Sequence, residues 1–179
     1  MKKEKRKKIL KEFLESDKSV VIFDREEPLG AGEWKSVRSF WRIRYNFLML
    51  KLSNLMLSMT FKCFFLRHTV GIDIGKNAGV GFSHIDPIFP ELIKIGNNAL
   101  IGWNSQILCH EFTQKKARLG KVVIGDNALI GCGTTIRSGV VIGENSVVAM
   151  HSLVNKDIPP NELWGGVPAK RIRKLKEII

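Results

Sequence analysis

Cysteine is scarce in this sequence, and long apolar runs are missing from it. Only Cys63, Cys109 and Cys132 occur in 179 residues. Their odd number argues against a disulfide framework, and none stands at metal-ligand spacing from another. Reduced thiols in a cytoplasmic protein are the expectation. No stretch approaches the ~20 apolar residues that a bilayer-spanning helix needs. The opening MKKEKRKK is basic, but KEFLESD follows where a secretory signal requires an apolar core, so secretion is not expected. Acidic residues are absent from Trp34 to Ile72, a stretch that holds Lys35, Arg38, Arg42, Arg44, Lys51, Lys62 and Arg67. Over the whole chain 29 Lys and Arg face 17 Asp and Glu, a formal charge of +12. Such an excess points to a polyanion: nucleic acid, an acidic membrane face or a phosphorylated cofactor. With 44% hydrophobic residues a core can form, so wholesale disorder is excluded. The length allows one domain with an appendage, not two large domains.

What the chain does have is a repeat. An aliphatic residue followed by a small one, most often Gly, returns at a spacing of six. It appears as Ile74-Gly75 and Val80-Gly81, as Ile95-Gly96 and Ile101-Gly102, and again as Ile124-Gly125 and Ile130-Gly131. Ile142-Gly143 and Val148-Ala149 continue it, while Ile107, Ile136 and Val154 keep the beat without glycine. A helix would space its apolar positions three and four apart and would not carry so much interior glycine. Short strands joined by tight turns fit, three to a triangular coil, each coil ~4.8 Å from the next. The sides then read Ile74, Val80, Asp86; Ile95, Ile101, Ile107; Ile124, Ile130, Ile136; Ile142, Val148, Val154. Both breaks in the beat, Ile88 to Glu91 and the loop Thr113 to Val123, fall after the third side. Functional groups commonly ride on loops held by a rigid scaffold, so that shared corner is where chemistry is expected.

His110 stands at this corner, three residues past Ile107, at a position that turns outward. Histidine as a residue type has an unperturbed pKa near neutrality, which suits it to accept a hydroxyl proton; the plainer reading is a surface histidine. Asp86 occupies a slot where the beat expects an aliphatic residue, and a charged residue in such a slot calls for a partner. Asp86-Pro87 is also a turn signal in its own right. Glu111 neighbours His110 in the chain and so points to the opposite face, which makes it a poor partner. His151, at a corner of another side, reads as an exposed corner residue.

Residues 1–69 lie outside the repeat. Lys2 to Leu14 can form a short helix, and Asp24 to Lys35, with Pro28, Gly30 and Gly32, reads as a loop. Leu48, Leu52, Leu55, Met59 and Leu66 share one helical face, while Lys51, Asn54, Ser58 and Lys62 share another. Two readings of residues 34–67 stay open. The stretch packs on the coil or on a neighbouring subunit, or it lies in a membrane interface, which its basic flanks, Trp34 and Trp41 favour.

The segments IGDNALIGCGTTIRSGVVIGENSVV and NKDIPPNELWGGVPAKRIRKL, within residues 70–175, resemble the hexapeptide-repeat acyltransferases, closest to their galactoside, maltose and serine O-acetyltransferase branch. The resemblance implies an all-β fold: a left-handed parallel β-helix with an N-terminal helical extension and a short C-terminal helix. The division is then 1–69 for the extension, 70–158 for the β-helix, and 159–179 for a terminal loop and helix. It also implies a homotrimer and acetyl-coenzyme A as co-substrate, with no metal. Acetyl transfer to a hydroxyl of a sugar or glycan precursor follows, with His110 as general base. Asp86 would orient its imidazole or hold a sugar hydroxyl, and His84 would contact the acceptor. The family's coenzyme groove maps onto Gly131 and Cys132 in one coil and Ala149 and Met150 in the next. Lys156, Lys170 and Arg171 resemble its phosphate-contacting residues, and Pro168 the residue beside adenine. Fixed cations suit phosphates, although Arg171 also reads as part of a solvated helix face.

Other functions remain as alternatives of different weight. An N-acetyltransferase acting on an amino sugar and a non-catalytic β-helix scaffold both fit the repeat, though a scaffold has no use for the GGVPAK tail. The zinc carbonic anhydrases of this fold need a second histidine five positions on, where this chain has Lys115. Nucleic-acid binding lacks an aromatic-interleaved basic surface outside residues 34–67 and is not expected.

Overall fold

The computed structural model describes residue 8, residues 11–24 and residues 38–176. Of the helix expected over Lys2 to Leu14, Lys8 and residues 11–14 are helical, with Phe13 buried. The rest of that segment lies outside the described residues, as does the expected loop after Asp24 and, with it, Trp34.

From Asp73 onward the six-residue beat becomes a three-sided coil. Its first turn is Asp73–Ile74, Gly79–Val80 and His84–Ile85; its second is Ile93–Ile95, Leu100–Ile101 and Gln106–Ile107. Val122–Ile124, Leu129–Ile130 and Thr135–Ile136 make the third turn, and Val141–Ile142, Val147–Val148 and Leu153–Val154 the fourth. Each strand pairs in parallel with its counterpart one turn on, aligning Ile74, Ile95, Ile124 and Ile142 along one side. Val80, Ile101, Ile130 and Val148 align along the second. These side chains fill the axis; Val80, Ile107, Ile124, Ile130, Ile136 and Ile142 have no exposed surface. The repeat is therefore a stacking rule, in which each coil buries the apolar face of the next.

The third side corrects the sequence expectation by one residue. Ile85, not Asp86, aligns with Ile107, Ile136 and Val154. The corner before it is one residue shorter than in later coils, where Asn104, Gly133 and His151 each adopt φ near +60° to +70°. Asp86 thus stands just beyond the strand, at the corner itself.

Asparagine sets another corner. Asn77, Asn98, Asn127 and Asn145 all have φ between 55° and 57°, a conformation that asparagine tolerates better than most residues. Their side-chain amides form a ladder, each donating to the next at 3.0–3.1 Å and ending on Asn161. Glycine is required for a different reason at Gly131, where a Cβ would come within 2.5 Å of the Met150 nitrogen.

The interruption Thr113 to Val123 is not an irregular loop. His110–Phe112 and Lys116–Gly120 form an antiparallel hairpin, and Val20–Asp24 adds to it as a third strand. The other interruption is a short turn of 3₁₀ helix, Pro90–Leu92.

The amphipathic stretch before the coil divides into two helices, α1 (Phe40–Ser53) and α2 (Met59–Thr69), broken between Asn54 and Ser58. The expected apolar face does not turn inward as a unit. Leu66 is buried, but Leu48, Leu52, Leu55 and Met59 are exposed. Asn46, Ser53 and Lys62 are buried instead, with Leu50 and Cys63. The reason lies in the coil's exposed backbone. Asn46 donates to the Pro87 carbonyl at 2.9 Å, Asn54 to that of Ser83 at 3.4 Å, and Lys62 to that of Gly81 at 2.5 Å. Polar side chains satisfy carbonyls that an apolar face would leave unpaired.

Among the described residues the expected C-terminal helix is not found. Glu162–Gly165 extends the second sheet, and Lys170–Lys174 folds back on it as an antiparallel strand, with Trp164 opposite Arg171. The last coil ends in an open strand edge, and a returning strand covers that edge where a helix would leave it unpaired. Ile172, on that returning strand, is 58% exposed.

Candidate active site

The corner after the third side brings Asp86 and His110 together. Asp86 follows the first coil's third strand, and His110 opens the hairpin that leaves the second coil. His110 Nδ1 lies 2.5 Å from Asp86 Oδ2. Asp86 is 1% exposed and accepts three backbone N–H bonds as well: Ile88 at 2.8 Å, Phe89 at 3.1 Å and Cys109 at 2.8 Å. Burial alone would push this carboxyl up. The hydrogen bond and charge of His110, together with the backbone donors, outweigh burial and hold it below the usual carboxylate range. An ionised Asp86 fixes the proton of His110 on Nδ1 and leaves Nε2 as the basic nitrogen.

His110 and Asp86 line a cavity of about 270 Å³ between the coil and α1. His84, Ser83 and Gln106 form its coil wall, and Phe47 and Lys51 of α1, with Asn54 just after it, form the other. The α1 residues were not legible as site residues, because nothing in the repeat says which helix face covers the corner. A cation in an acid-free segment, Lys51, was the one available signal. Behind His110, the Phe89 ring lies 6.4 Å away, and the Arg38 guanidinium covers that ring while pairing with Glu91. Cys109 is buried, and burial first, then Asp86 and Glu91, push its thiol well above the usual range. It is no nucleophile.

Glu111 turns away from His110. It accepts from Arg137 at 2.8 Å and from Ser138 at 2.5 Å. His151 is an exposed corner residue with φ of 56°, outside this cavity.

The residues mapped to a coenzyme gather elsewhere. Lys156, Pro168, Lys170 and Arg171 line a separate groove of about 440 Å³ with Asn155 and Trp164. Glu162 anchors this groove, accepting from Trp164 Nε1 at 2.7 Å and pairing with Arg171 Nε at 3.0 Å. Cys132 and Met150 lie on stacked turns one coil apart, whereas the N–H groups of Gly131 and Ala149 are engaged by Val148 and Trp164 carbonyls. The groove and the His110 cavity share no lining residue, so one chain does not bring the two sets together. Among the described residues no group of three His, Cys, Asp or Glu could hold a metal.

Comparison with known proteins bears on the family and the fold. The sequence profile of the bacterial transferase hexapeptide family (six repeats) matches residues 121–156. The candidate acetyltransferase YvoF of Bacillus subtilis is 35% identical over 140 residues, 78% of this chain and 81% of that protein. A hexapeptide-repeat acetyltransferase of Vibrio cholerae superposes with a TM-score of 0.61 at 26% identity, over 85% of this chain and 97% of its own. Its structure with acetyl-coenzyme A gives a TM-score of 0.59 at 25% identity, covering 76% and 88%. A maltose O-acetyltransferase of Clostridium difficile matches with a TM-score of 0.61 at 26% identity, again over 76% and 88%.

Proposed function

This chain belongs to the hexapeptide-repeat acetyltransferases, and from that premise we propose that it transfers an acetyl group from acetyl-coenzyme A to a hydroxyl of a sugar or glycan precursor, with His110 as general base. The observation that carries this reading is the bond from His110 Nδ1 to a buried, ionised Asp86 at a cavity wall. With the imidazole proton held on Nδ1, Nε2 takes the acceptor's hydroxyl proton. The oxygen attacks the thioester carbonyl, the C–S bond breaks, and the leaving thiolate recovers the proton from the imidazolium. No covalent acyl-enzyme forms, in keeping with a Cys109 held as a buried thiol. Asp86 acts as a positioning residue that favours the imidazolium as it forms.

Acetyl-coenzyme A lies along the edge carrying Gly131, Cys132, Ala149 and Met150, its nucleotide in the groove of Lys156, Pro168, Lys170 and Arg171. Phosphates favour that groove because its cations outnumber its single anchoring carboxylate, Glu162. The separation of groove and cavity within one chain supports a left-handed β-helix trimer, in which one subunit's groove faces another's His110. His84 and Lys51 contact the acceptor.

Purified protein incubated with acetyl-coenzyme A and a panel of sugars should release free coenzyme thiol with a hydroxyl acceptor. Transfer confined to amino sugars would overturn O-acetylation, and a monomer by light scattering would overturn the shared site.

A further inference from the structure

Helices α1 and α2 bury Leu50, Cys63 and Leu66 but carry many of their large apolar residues on the outside. Along α1, Trp41, Tyr45, Leu48 and Leu52 recur at spacings of four, three and four, which places them in one stripe. They are 75%, 41%, 53% and 39% exposed. Leu55, Leu57, Phe61 and Phe64 continue the exposed apolar surface through the break and onto α2. The opposite side of the pair carries Asn46 and Lys62, which donate to coil carbonyls, and the buried Ser53. A helix packed on a globular protein in water normally does the reverse.

The charge of this surface is one-sided. Arg42 flanks the stripe on one side, with Arg44 and Lys51 on the other, and all are exposed. Each cation stacks on a ring of the same helix: Arg42 on Tyr45, Arg44 on Phe40 and Lys51 on Phe47, at 5.3–5.7 Å. No acidic residue occurs between Trp34 and Ile72 to neutralise them. A second copy of the same face would meet it with like charge, whereas anionic headgroups above an acyl layer match both the stripe and its flanks. A span is excluded: at 1.5 Å per residue the 14 residues of α1 reach ~21 Å, short of a ~30 Å hydrocarbon core.

We propose that the α1–α2 face docks this protein on an anionic lipid surface, with the helices lying in the interface plane. Phe47 and Lys51 belong both to α1 and to the wall of the His110 cavity, so docking sets that cavity beside the headgroups. The proposal concerns the surface alone and holds whichever acceptor the cavity takes.

The test uses the full chain and sedimentation with vesicles of phosphatidylcholine alone or with phosphatidylglycerol added. Binding should require phosphatidylglycerol and weaken as salt rises. Exchanging both exposed arginines in R42Q/R44Q should weaken partitioning roughly 30-fold, the worth of two interfacial cations at ~1 kcal/mol each. W41S/L48S should also lose binding, while its release of coenzyme thiol with a soluble acceptor stays unchanged. Equal binding to both vesicle types, or none to either, would overturn the proposal. So would protection of the Trp41 and Tyr45 side chains from hydroxyl-radical footprinting in the lipid-free oligomer, which would assign the face to a neighbouring subunit. Should W41S/L48S fail to fold, R42Q/R44Q alone decides, since it alters only exposed charge. Inactivity of the wild-type enzyme with every acceptor would count against the proposed reaction and leave the vesicle result standing.

Discussion

The coil and the helical pair in front of it obey opposite rules. In the coil each inward slot is aliphatic and each coil repeats the last, so burial follows directly from spacing. Along α1 the apolar stripe is equally regular, yet it faces outward, while Asn46 of α1 and Lys62 of α2 donate to the coil. The difference is what each element packs against. A coil packs against its own copy, whose apolar side chains are known from the repeat. The helices pack against the coil's flank, where the Gly81, Ser83 and Pro87 carbonyls need donors. Periodicity therefore reports which residues share a face, and only the neighbour decides which face is buried.

The largest effect expected from breaking either region lies at their shared corner. His110→Ala should lower turnover by ~10²–10⁴-fold, the usual worth of general-base catalysis, with acetyl-coenzyme A affinity nearly unchanged. Steady-state kinetics on the intact oligomer and calorimetric titration of the coenzyme check both halves. The same change at His84 or His151 should cost much less. Within the coil, Ile130→Ala removes a fully buried slot and should cost about 2–5 kcal/mol in denaturant unfolding.

Asp86→Asn should reduce turnover by roughly 10–100-fold, because it loses the charge that favours the imidazolium. Its signature is a fall in kcat at nearly unchanged KM while the fold persists. The same carboxylate, held below its usual range, adds stability that is present above ~pH 4 and is lost as pH falls further.

Lys62 gives a smaller effect in the helical pair. Burial lowers its pKa from 10.5 to about 8, with Cys63 acting weakly the other way. Between those two values the unfolded chain holds a proton that the folded chain has released. The contribution of Lys62 to stability should therefore rise as pH goes from about 8 to about 10.5. Lys62→Met removes this trend, so its unfolding free energy relative to wild type should be most favourable near pH 7.5 and least by pH 10. Leu48→Ser should be smallest of all, within ~0.5 kcal/mol in lipid-free buffer. A cost of 2 kcal/mol or more at Leu48 would mean that its stripe is buried in the oligomer, and would erase the contrast with Ile130.

Much of the site was readable from the chain, for reasons that particular residues show. His110 stood out because it stands just before a break in the beat, and Asp86 because a carboxylate interrupted an aliphatic series. The one-residue shortening before Ile85 escaped, since counting by six assumes equal corners. Lys51 and Phe47 escaped because helix α1 has no repeat to say where it docks. The tail misled differently: RIRKL has a helical pattern, but the open edge of the last coil offers paired backbone bonds to a strand.

The sequence by itself determined the coil, because a side chain every six residues has one stable use, to be stacked upon by its successor. It also determined the corners, because asparagine and glycine at fixed places accept a backbone conformation that few residues adopt. The tertiary structure alone decided that Asp86 reaches His110 across 24 positions, since a hydrogen bond depends on ångströms that a one-residue shift in register would destroy. It alone decided that the helices present apolar side chains outward, because that choice rests on unpaired carbonyls belonging to a different part of the chain.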